Sequence, residues 1–135
     1  MIFSAAGPRP DDDPPTPLAE APESGRALRL LAPNDTRAED MVALLPRCLL
    51  LAIPFPSFAD GRGFSLARRL RDHGFRGTLR ATGAPIPDQF AMLLACGFDE
   101  VQLDDALAER QGRDAWARAL VAARPPYLRR RAVWS

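Results

Sequence analysis

Apolar runs and amphipathic segments alternate four times along the chain. The predicted strands lie at 27–32, 48–55, 78–81 and 100–103, and the second begins with the run from Cys48 to Ile53, which has no polar residue and suits a strand buried on both faces of a sheet. The segments that follow them repeat apolar residues at helical spacing, and they lie at 34–45, 66–73, 88–96 and 113–124. Short loops and right-handed crossovers make a parallel four-stranded sheet the simplest arrangement of these units.

The pattern therefore predicts an α/β domain of four βα units with a small parallel sheet. The sheet is either open and doubly wound or shaped like half of a β/α barrel. An open sheet of this size leaves edges that need cover, which a proline-rich tail or a second subunit would supply. This need for cover favours a homo-oligomer.

Composition sets both ends of the chain apart from its middle. Residues 1–24 contain six of the fourteen prolines and the run Asp11-Asp12-Asp13, so regular structure is not expected there. We interpret this segment as a flexible tail, or alternatively as a strap that lies on the surface of a partner. The α/β domain then covers residues 25–125, and residues 126–135 form a basic C-terminal tail.

Several residues mark the ends of the predicted helices. Thr36 and Glu39 have the spacing of a capping box at the start of the first helix, and Pro46 ends it. Gly74 and Gly97 are placed as C-terminal caps of the second and third helices.

The turn between the second strand and its helix is the main candidate for a site. Asp60 and Ser65 can cap a helix, while Gly61 and Gly63 allow close approach of the backbone. Free amides at a helix start attract anions, and Arg62 adds charge and a planar fork. The turn is therefore either a pocket for phosphate, sulfate or carboxylate, or an ordinary strand-to-helix loop. It has neither the ending of a P-loop nor a full dinucleotide fingerprint.

The predicted fold extends this candidate site to a second strand. In parallel α/β sheets, ligands gather at the carboxyl ends of the strands. We therefore expect Arg80, on the third strand, to lie beside Asp60 and Arg62 on one rim. An ion pair of Arg80 with Asp60 or with Asp88 is the structural alternative.

The charge and the reactive side chains exclude several function classes. The formal net charge is +1 and the chain has no lysine, so Schiff-base lysine chemistry is excluded. Cys48, Cys96 and the single His73 match no metal or redox spacing, and we expect neither a metal nor a cofactor. Without a recognisable signal peptide or membrane span, the cytoplasm is the expected location. The arginines at 129–131 do not indicate nucleic acid, because no binding fold accompanies them.

Three blocks of sequence carry a family resemblance. They are residues 55–68 (FPSFADGRGFSLAR), residues 77–83 (GTLRATG) together with Asp88 and Gln89, and residues 96–99 (CGFD). Over residues 30–103 the chain resembles the bacterial family known as domain of unknown function 934. The residues that match the family pattern are Asp60, Gly61, Arg62, Gly63, Ser65, Arg80, Gly83, Asp88, Gln89 and Gly97. No catalytic role is assigned to any of them.

The resemblance implies a pathway more firmly than a reaction. Members of the family are described as oxidoreductases involved in sulfite reduction, largely because their genes lie beside those for sulfite reductase. This chain departs from the family pattern at Ala84, where members carry an acidic residue, and at Pro87 and Ala95, where they carry basic ones.

We therefore expect an accessory or interaction protein of assimilatory sulfite or sulfate reduction that has no redox cofactor. Its expected partner is sulfite reductase or another sulfur-assimilation protein. The alternative is a small oxyanion-binding subunit or oxidoreductase component that acts through the loop from Asp60 to Ser65, with Arg80 and with Asp88 and Gln89 in support. Whether the protein is an enzyme stays open at this point.

Overall fold

The computed structural model describes residues 1–4, 6–57 and 59–123. Within them, seven strands are β1 (Ile2–Ser4), β2 (Gly7–Arg9), β3 (Thr16–Pro17), β4 (Leu28–Leu31), β5 (Cys48–Phe55), β6 (Thr78–Gly83) and β7 (Glu100–Gln102). Four α-helices are α1 (Arg62–Asp72), α2 (Phe90–Ala95), α3 (Asp105–Gln111) and α4 (Arg113–Ala123). The predicted C-terminal tail, residues 126–135, lies outside the described residues.

The strands form one mixed, mostly parallel open sheet in the order β2-β1-β7-β6-β5-β4-β3. The four predicted strands are β4 to β7, and they are neighbours, parallel and in chain order, which confirms the α/β prediction. A doubly wound sheet requires a point where the strand order reverses. These four strands have no reversal, so the open sheet is not doubly wound.

The N-terminal segment completes the sheet, so the prediction of a flexible tail is wrong. Strand β1 pairs antiparallel with β7, and β3 pairs parallel with β4, so both edges of the four-stranded sheet are covered from within the chain. Proline misled the prediction because it lacks a backbone donor. It is tolerated in edge strands, and Pro8 and Pro17 lie in β2 and β3, the two outermost strands.

Residues 10–15, which we call the belt, cross the sheet from β2 at one edge to β3 at the other. Six strand spacings in a flat sheet amount to about 29 Å. The seven steps from Arg9 to Thr16 reach at most about 25 Å when fully extended. The sheet must therefore curve towards the belt. Three prolines in the belt, Pro10, Pro14 and Pro15, suit an extended chain.

The two faces of the sheet have different characters. Leu51, Ile53, Leu79 and Ala81 belong to the main apolar core, which the helices cover. Successive side chains of a strand point to opposite faces, so Arg80 lies on the other face, beneath the belt. The sheet is therefore apolar towards the helices and partly ionic towards the N-terminal segment.

The helical face is closed by aromatic packing. Trp116 of α4 is fully buried, stacks on Phe3 of β1 with ring centres 5.6 Å apart, and meets the ring of Phe90 edge-on at 6.0 Å. Its indole nitrogen donates to the side chain of Gln111 at 2.8 Å. These contacts connect the N-terminal strand to the last two helices.

The segment predicted as the first helix differs from the prediction. It forms only two 3-10 turns, Ala38–Met41 and Leu45–Arg47. No side chain caps the first turn, so Thr36 does not build the expected capping box, and Pro46 removes a backbone donor in the second. The sequence pattern did identify the buried side chains, because Met41 and Leu45 both enter the core.

The remaining helices follow the prediction more closely. Helix α1 ends at His73 and Gly74, whose φ of 94° is the conformation expected for a glycine cap. The third predicted helix consists of a 3-10 turn, Pro87–Gln89, followed by α2. Helix α3 was not predicted, although Asp104 caps it by accepting the Leu107 amide at 2.7 Å. No helix within the described ranges is long and apolar enough to cross a lipid bilayer.

Candidate functional site

The carboxylate of Asp60 organises the loop that enters α1. It accepts the amide of Arg62 at 3.0 Å and two guanidinium hydrogen bonds from the same residue at 3.2 and 2.8 Å. The amide of Asn34 also donates to it at 3.1 Å. The side-chain hydrogen bond from Arg62 is the main cause that holds the pKa of Asp60 well below its ordinary value. Asp60 thus holds the loop before α1 in place and is not a free general base.

The glycines of this region make room for the ring of Phe55. A Cβ built on Gly63 would lie 2.5 Å from the end of that ring. Gly83 has a φ of 96°, and its Cβ would lie 2.5 Å from the Phe55 carbonyl oxygen. The close approach that the sequence suggested for a phosphate is therefore occupied by an aromatic side chain. The space beside Gly61 is open.

A shallow cleft of about 250 Å³ lies beside the start of α1, and we call it the arginine cleft. It is lined by Asn34, Asp35, Thr36, Arg37, Arg62, Ser65, Leu66 and Arg69. Of its guanidiniums, Arg62 is paired with Asp60, and Arg37 lies 3.9 Å from Glu39. The guanidinium of Arg69 makes no hydrogen bond or ion pair within 4 Å to any residue that the structure describes. The cleft therefore offers positive charge to an anion.

The structure separates Arg80 from this cleft. Arg80 pairs in register with Ala52, three residues before β5 ends at Phe55, so it lies about 10 Å below the rim. It does not line the arginine cleft. The prediction that Arg80 lies beside Asp60 and Arg62 is therefore wrong, because the register places it inside the strand and facing away from the helices.

The guanidinium of Arg80 is fully buried and has partners on two sides. Its Nε donates to Glu100 at 2.9 Å, and its two terminal nitrogens donate to the two carboxylate oxygens of Asp12 at 2.9 and 2.7 Å. A further bond of 3.2 Å reaches Gln102. Both predicted ion-pair alternatives, with Asp60 and with Asp88, are replaced by this arrangement.

Electrostatic pairing outweighs burial at this arginine. Burial by itself lowers the pKa of Arg80, but its hydrogen bonds with Asp12 and Glu100 raise the pKa above its ordinary value. The hydrogen bond from Arg80 is the largest cause that lowers the pKa of Asp12 to about 2. Two further arginines join the cluster, since Arg9 donates to Glu100 at 2.8 Å and Arg29 to Asp12 at 2.9 Å.

Asp88 and Gln89 serve the turn before α2. The side chain of Gln89 accepts the backbone amide of Ile86 at 3.1 Å, which fixes the start of the turn. Asp88 is exposed, and neither residue lines the arginine cleft. Their part in binding an anion stays a prediction.

Sequence reasoning missed the role of Arg71. Its guanidinium donates to the carbonyls of Gly97, Phe75 and Gly77 and to the carboxylate of Asp99, at distances of 2.7 to 3.0 Å. It thereby joins the end of α1 to the starts of β6 and β7. With eighteen arginines in the chain, nothing in the sequence distinguishes this one.

The cysteines and the histidine are not arranged as a reactive group. Cys48 is buried, and burial raises the pKa of its thiol. It lines a second cavity of about 420 Å³, which His73 and Arg76 also line, at the amino ends of the strands. His73 lies 4.0 Å from Glu39. Within residues 1–4, 6–57 and 59–123, no group of three metal-ligating side chains is placed to hold a metal ion.

Comparison with known proteins places the chain in a family. Neither curated proteins nor solved structures give a match. A family model described as bacterial protein of unknown function (DUF934) matches residues 29–131, which include α1, the three blocks of resemblance and strands β4 to β7 except the first residue of β4. The N-terminal segment with the belt lies outside the match. Because the match covers most of its 135 residues, the chain belongs to the bacterial DUF934 family.

Proposed function

We propose that the protein is an accessory or interaction protein of assimilatory sulfite or sulfate reduction. The observation that carries this proposal is the use of the family-like loop as a structural element. Asp60 accepts hydrogen bonds from the amide and the guanidinium of Arg62, and Gly63 accommodates the Phe55 ring. Asp60 and Gly63 are therefore engaged in holding the loop and are not presented to a substrate. The pathway is the one that the family resemblance implies.

The arginine cleft is the surface that suits a partner. Arg69 and Arg37 are exposed there, and the guanidinium of Arg69 has no hydrogen-bonded partner within the described part of the chain. Planar guanidinium groups bind carboxylates through paired hydrogen bonds. The partner is sulfite reductase or another sulfur-assimilation protein, and it would present acidic side chains to the cleft.

Affinity capture from an extract of sulfate-grown bacteria tests this proposal. Arg69→Glu reverses a charge inside the cleft, whereas Arg68→Glu reverses the neighbouring exposed charge of the same helix outside it. We expect the wild type and Arg68→Glu to recover a sulfur-assimilation protein and Arg69→Glu to lose it. Recovery of no such protein by the wild type, or equal recovery by both variants, would refute the proposal.

A second candidate function is the binding of a small oxyanion in the same cleft. It is favoured by three guanidiniums around a space of about 250 Å³, which is ample for sulfite, sulfate or phosphate. For a dissociation constant of 1 mM, 10 mM anion stabilises the fold by about 1.4 kcal/mol, which raises the melting temperature by about 5 °C.

Thermal unfolding in each anion, against chloride of equal ionic strength, tests this candidate. We expect the rise in melting temperature to be kept in Arg68→Gln and reduced in Arg69→Gln. If sulfite, sulfate and phosphate all leave the melting temperature of the wild type unchanged at saturating concentrations, the cleft is not an oxyanion site.

A further inference from the structure

The carboxylate of Asp12 lies in a receptor built by two arginines. Arg80 donates to both of its oxygens, and Arg29 donates to one of them at 2.9 Å. This paired geometry is the one by which arginine binds carboxylate and other oxyanions. Arg80 is fully buried, whereas the Asp12 side chain is 38 % exposed, so the donors belong to the sheet and the acceptor is laid on top of them.

The donors and the acceptor come from different parts of the chain. Arg29, Arg80 and Glu100 all fall within residues 29–131, the range that the family model matches. Asp12 belongs to the belt, outside that range. Without Asp12, the guanidiniums of Arg80 and Arg9 would share the single carboxylate of Glu100, and Arg29 would keep only the carbonyl of Asp13. An excess of buried positive charge is costly unless an anion is present, so the sheet face needs a negative group at this position.

We propose that Arg80 and Arg29 form a second oxyanion-binding site, separate from the arginine cleft, and that Asp12 occupies it as a built-in ligand. The ligand that replaces Asp12 is a small oxyanion of carboxylate or sulfate type. A small ion fits best because Asp12 fills the receptor with one carboxylate group while the rest of the belt crosses above.

The belt has one weak attachment through which the site can open. It crosses the whole sheet in six residues, which leaves little slack for lifting while both of its ends stay paired. At one end it continues into β2, which pairs with β1 through three residues. At the other end it continues into β3, which pairs with β4 through only two. Release of β3 would therefore withdraw Asp12 and leave Arg80 and Arg29 for a free anion.

Removal of the built-in carboxylate from the full chain tests the proposal. Asp12→Ala empties the receptor. Asp13→Ala is the matched control, because the structure gives the neighbouring residue only a backbone contact, from Arg29 to its carbonyl. In chloride, we expect Asp12→Ala to lower the melting temperature by about 10 °C and Asp13→Ala to change it by less than about 2 °C.

Formate and sulfate at 100 mM, each against chloride of equal ionic strength, then serve as probes of the emptied receptor. We expect them to raise the melting temperature of Asp12→Ala by about 5 °C more than that of Asp13→Ala. Adding Arg29→Gln to Asp12→Ala should abolish this extra rise, which would locate the anion at the proposed donors. Equal shifts in Asp12→Ala and Asp13→Ala would overturn the proposal.

The same comparison distinguishes the two sites. An anion that acts only in the arginine cleft shifts Asp12→Ala and Asp13→Ala alike, whereas an anion that acts only at Arg80 shifts Asp12→Ala alone. If Asp12→Ala does not fold in chloride, the proposal requires that 100 mM formate or sulfate restores its folded state while chloride of equal ionic strength does not. If an oligoglutamate peptide raises the melting temperature of Asp12→Ala but neither small anion does, the proposal is overturned and a protein ligand is indicated.

Discussion

The sharpest test of the fold is the removal of the guanidinium of Arg71. This group is 25 % exposed, and it satisfies three backbone carbonyls, those of Phe75, Gly77 and Gly97, together with the carboxylate of Asp99. Arg71→Met keeps most of the side-chain stem and removes all donors. The carbonyls are then left without a partner at the junction of α1, β6 and the loop before β7.

The expected cost follows from the number of acceptors. Leaving a buried acceptor unpaired costs about 1–3 kcal/mol, and partial access of water favours the lower end. Leaving three carbonyls unpaired should therefore lower the free energy of unfolding by about 3 kcal/mol and the melting temperature by about 12 °C. Arg71→Lys should recover less than half of this loss, because one ammonium group cannot reach acceptors that a planar fork serves from several sides.

Urea unfolding followed by circular dichroism measures this loss, with Arg68→Met as the control. Arg68 is exposed on the same helix and its side chain makes no hydrogen bond or ion pair to any described residue, so its replacement should change stability by less than about 0.5 kcal/mol. The midpoint for Arg71→Met should fall by about 2 M urea. If the two variants unfold within about 0.5 M urea of each other, the junction does not depend on Arg71 and the reasoning is refuted.

Three further predictions concern single positions. Gly63→Ala should lower the free energy of unfolding by about 1–3 kcal/mol, because its Cβ would lie 2.5 Å from the Phe55 ring. The control Gly61→Ala should change the free energy of unfolding by less than about 0.5 kcal/mol, because the space beside Gly61 is open, and equal losses in urea unfolding would contradict this prediction. Gly83→Ala should destabilise the protein more than Gly63→Ala does, because position 83 combines a φ of 96° with a Cβ only 2.5 Å from a carbonyl oxygen. A melting temperature of Gly83→Ala near that of the wild type would disprove this prediction. The pKa of Asp12 falls from 3.8 to about 2 on folding, so its stabilisation is complete above the unfolded pKa and is lost as the pH falls towards 2. Acid titration of stability should therefore be flatter for Asp12→Asn in this range, and identical slopes would count against the pairing.

The elements that the sequence predicted well are those with a pattern of their own. The apolar run at 48–55 is the strand β5 with the same bounds, and α1 ends where Gly74 indicated. In both cases the local signal and the tertiary environment agree, since a continuous apolar run needs burial on two faces and an amphipathic segment needs one. A segment can be predicted from sequence when its local pattern and its tertiary environment favour the same structure.

The N-terminal segment was misread because its structure depends on the rest of the sheet. Two- and three-residue strands carry no periodic signal, and β1 and β3 exist because β7 and β4 offer unpaired edges. The position of Arg80 was misjudged for a related reason. Its strand was recognised, but only the register shows that it lies three residues from the strand end, and only the topology brings Asp12 over it.

The three blocks of family resemblance meet at one aromatic side chain. The ring of Phe55 contacts Phe64 of the first block edge-on at 5.1 Å and Phe98 of the third at 5.7 Å. Its carbonyl accepts the amide of Ala84, which follows the second block, at 2.8 Å. The blocks thus specify how β5, β6 and the loop before β7 pack together, and their residues cannot by themselves identify a ligand. A binding role must depend on side chains that this packing leaves available, and Arg69 of the arginine cleft is one of these.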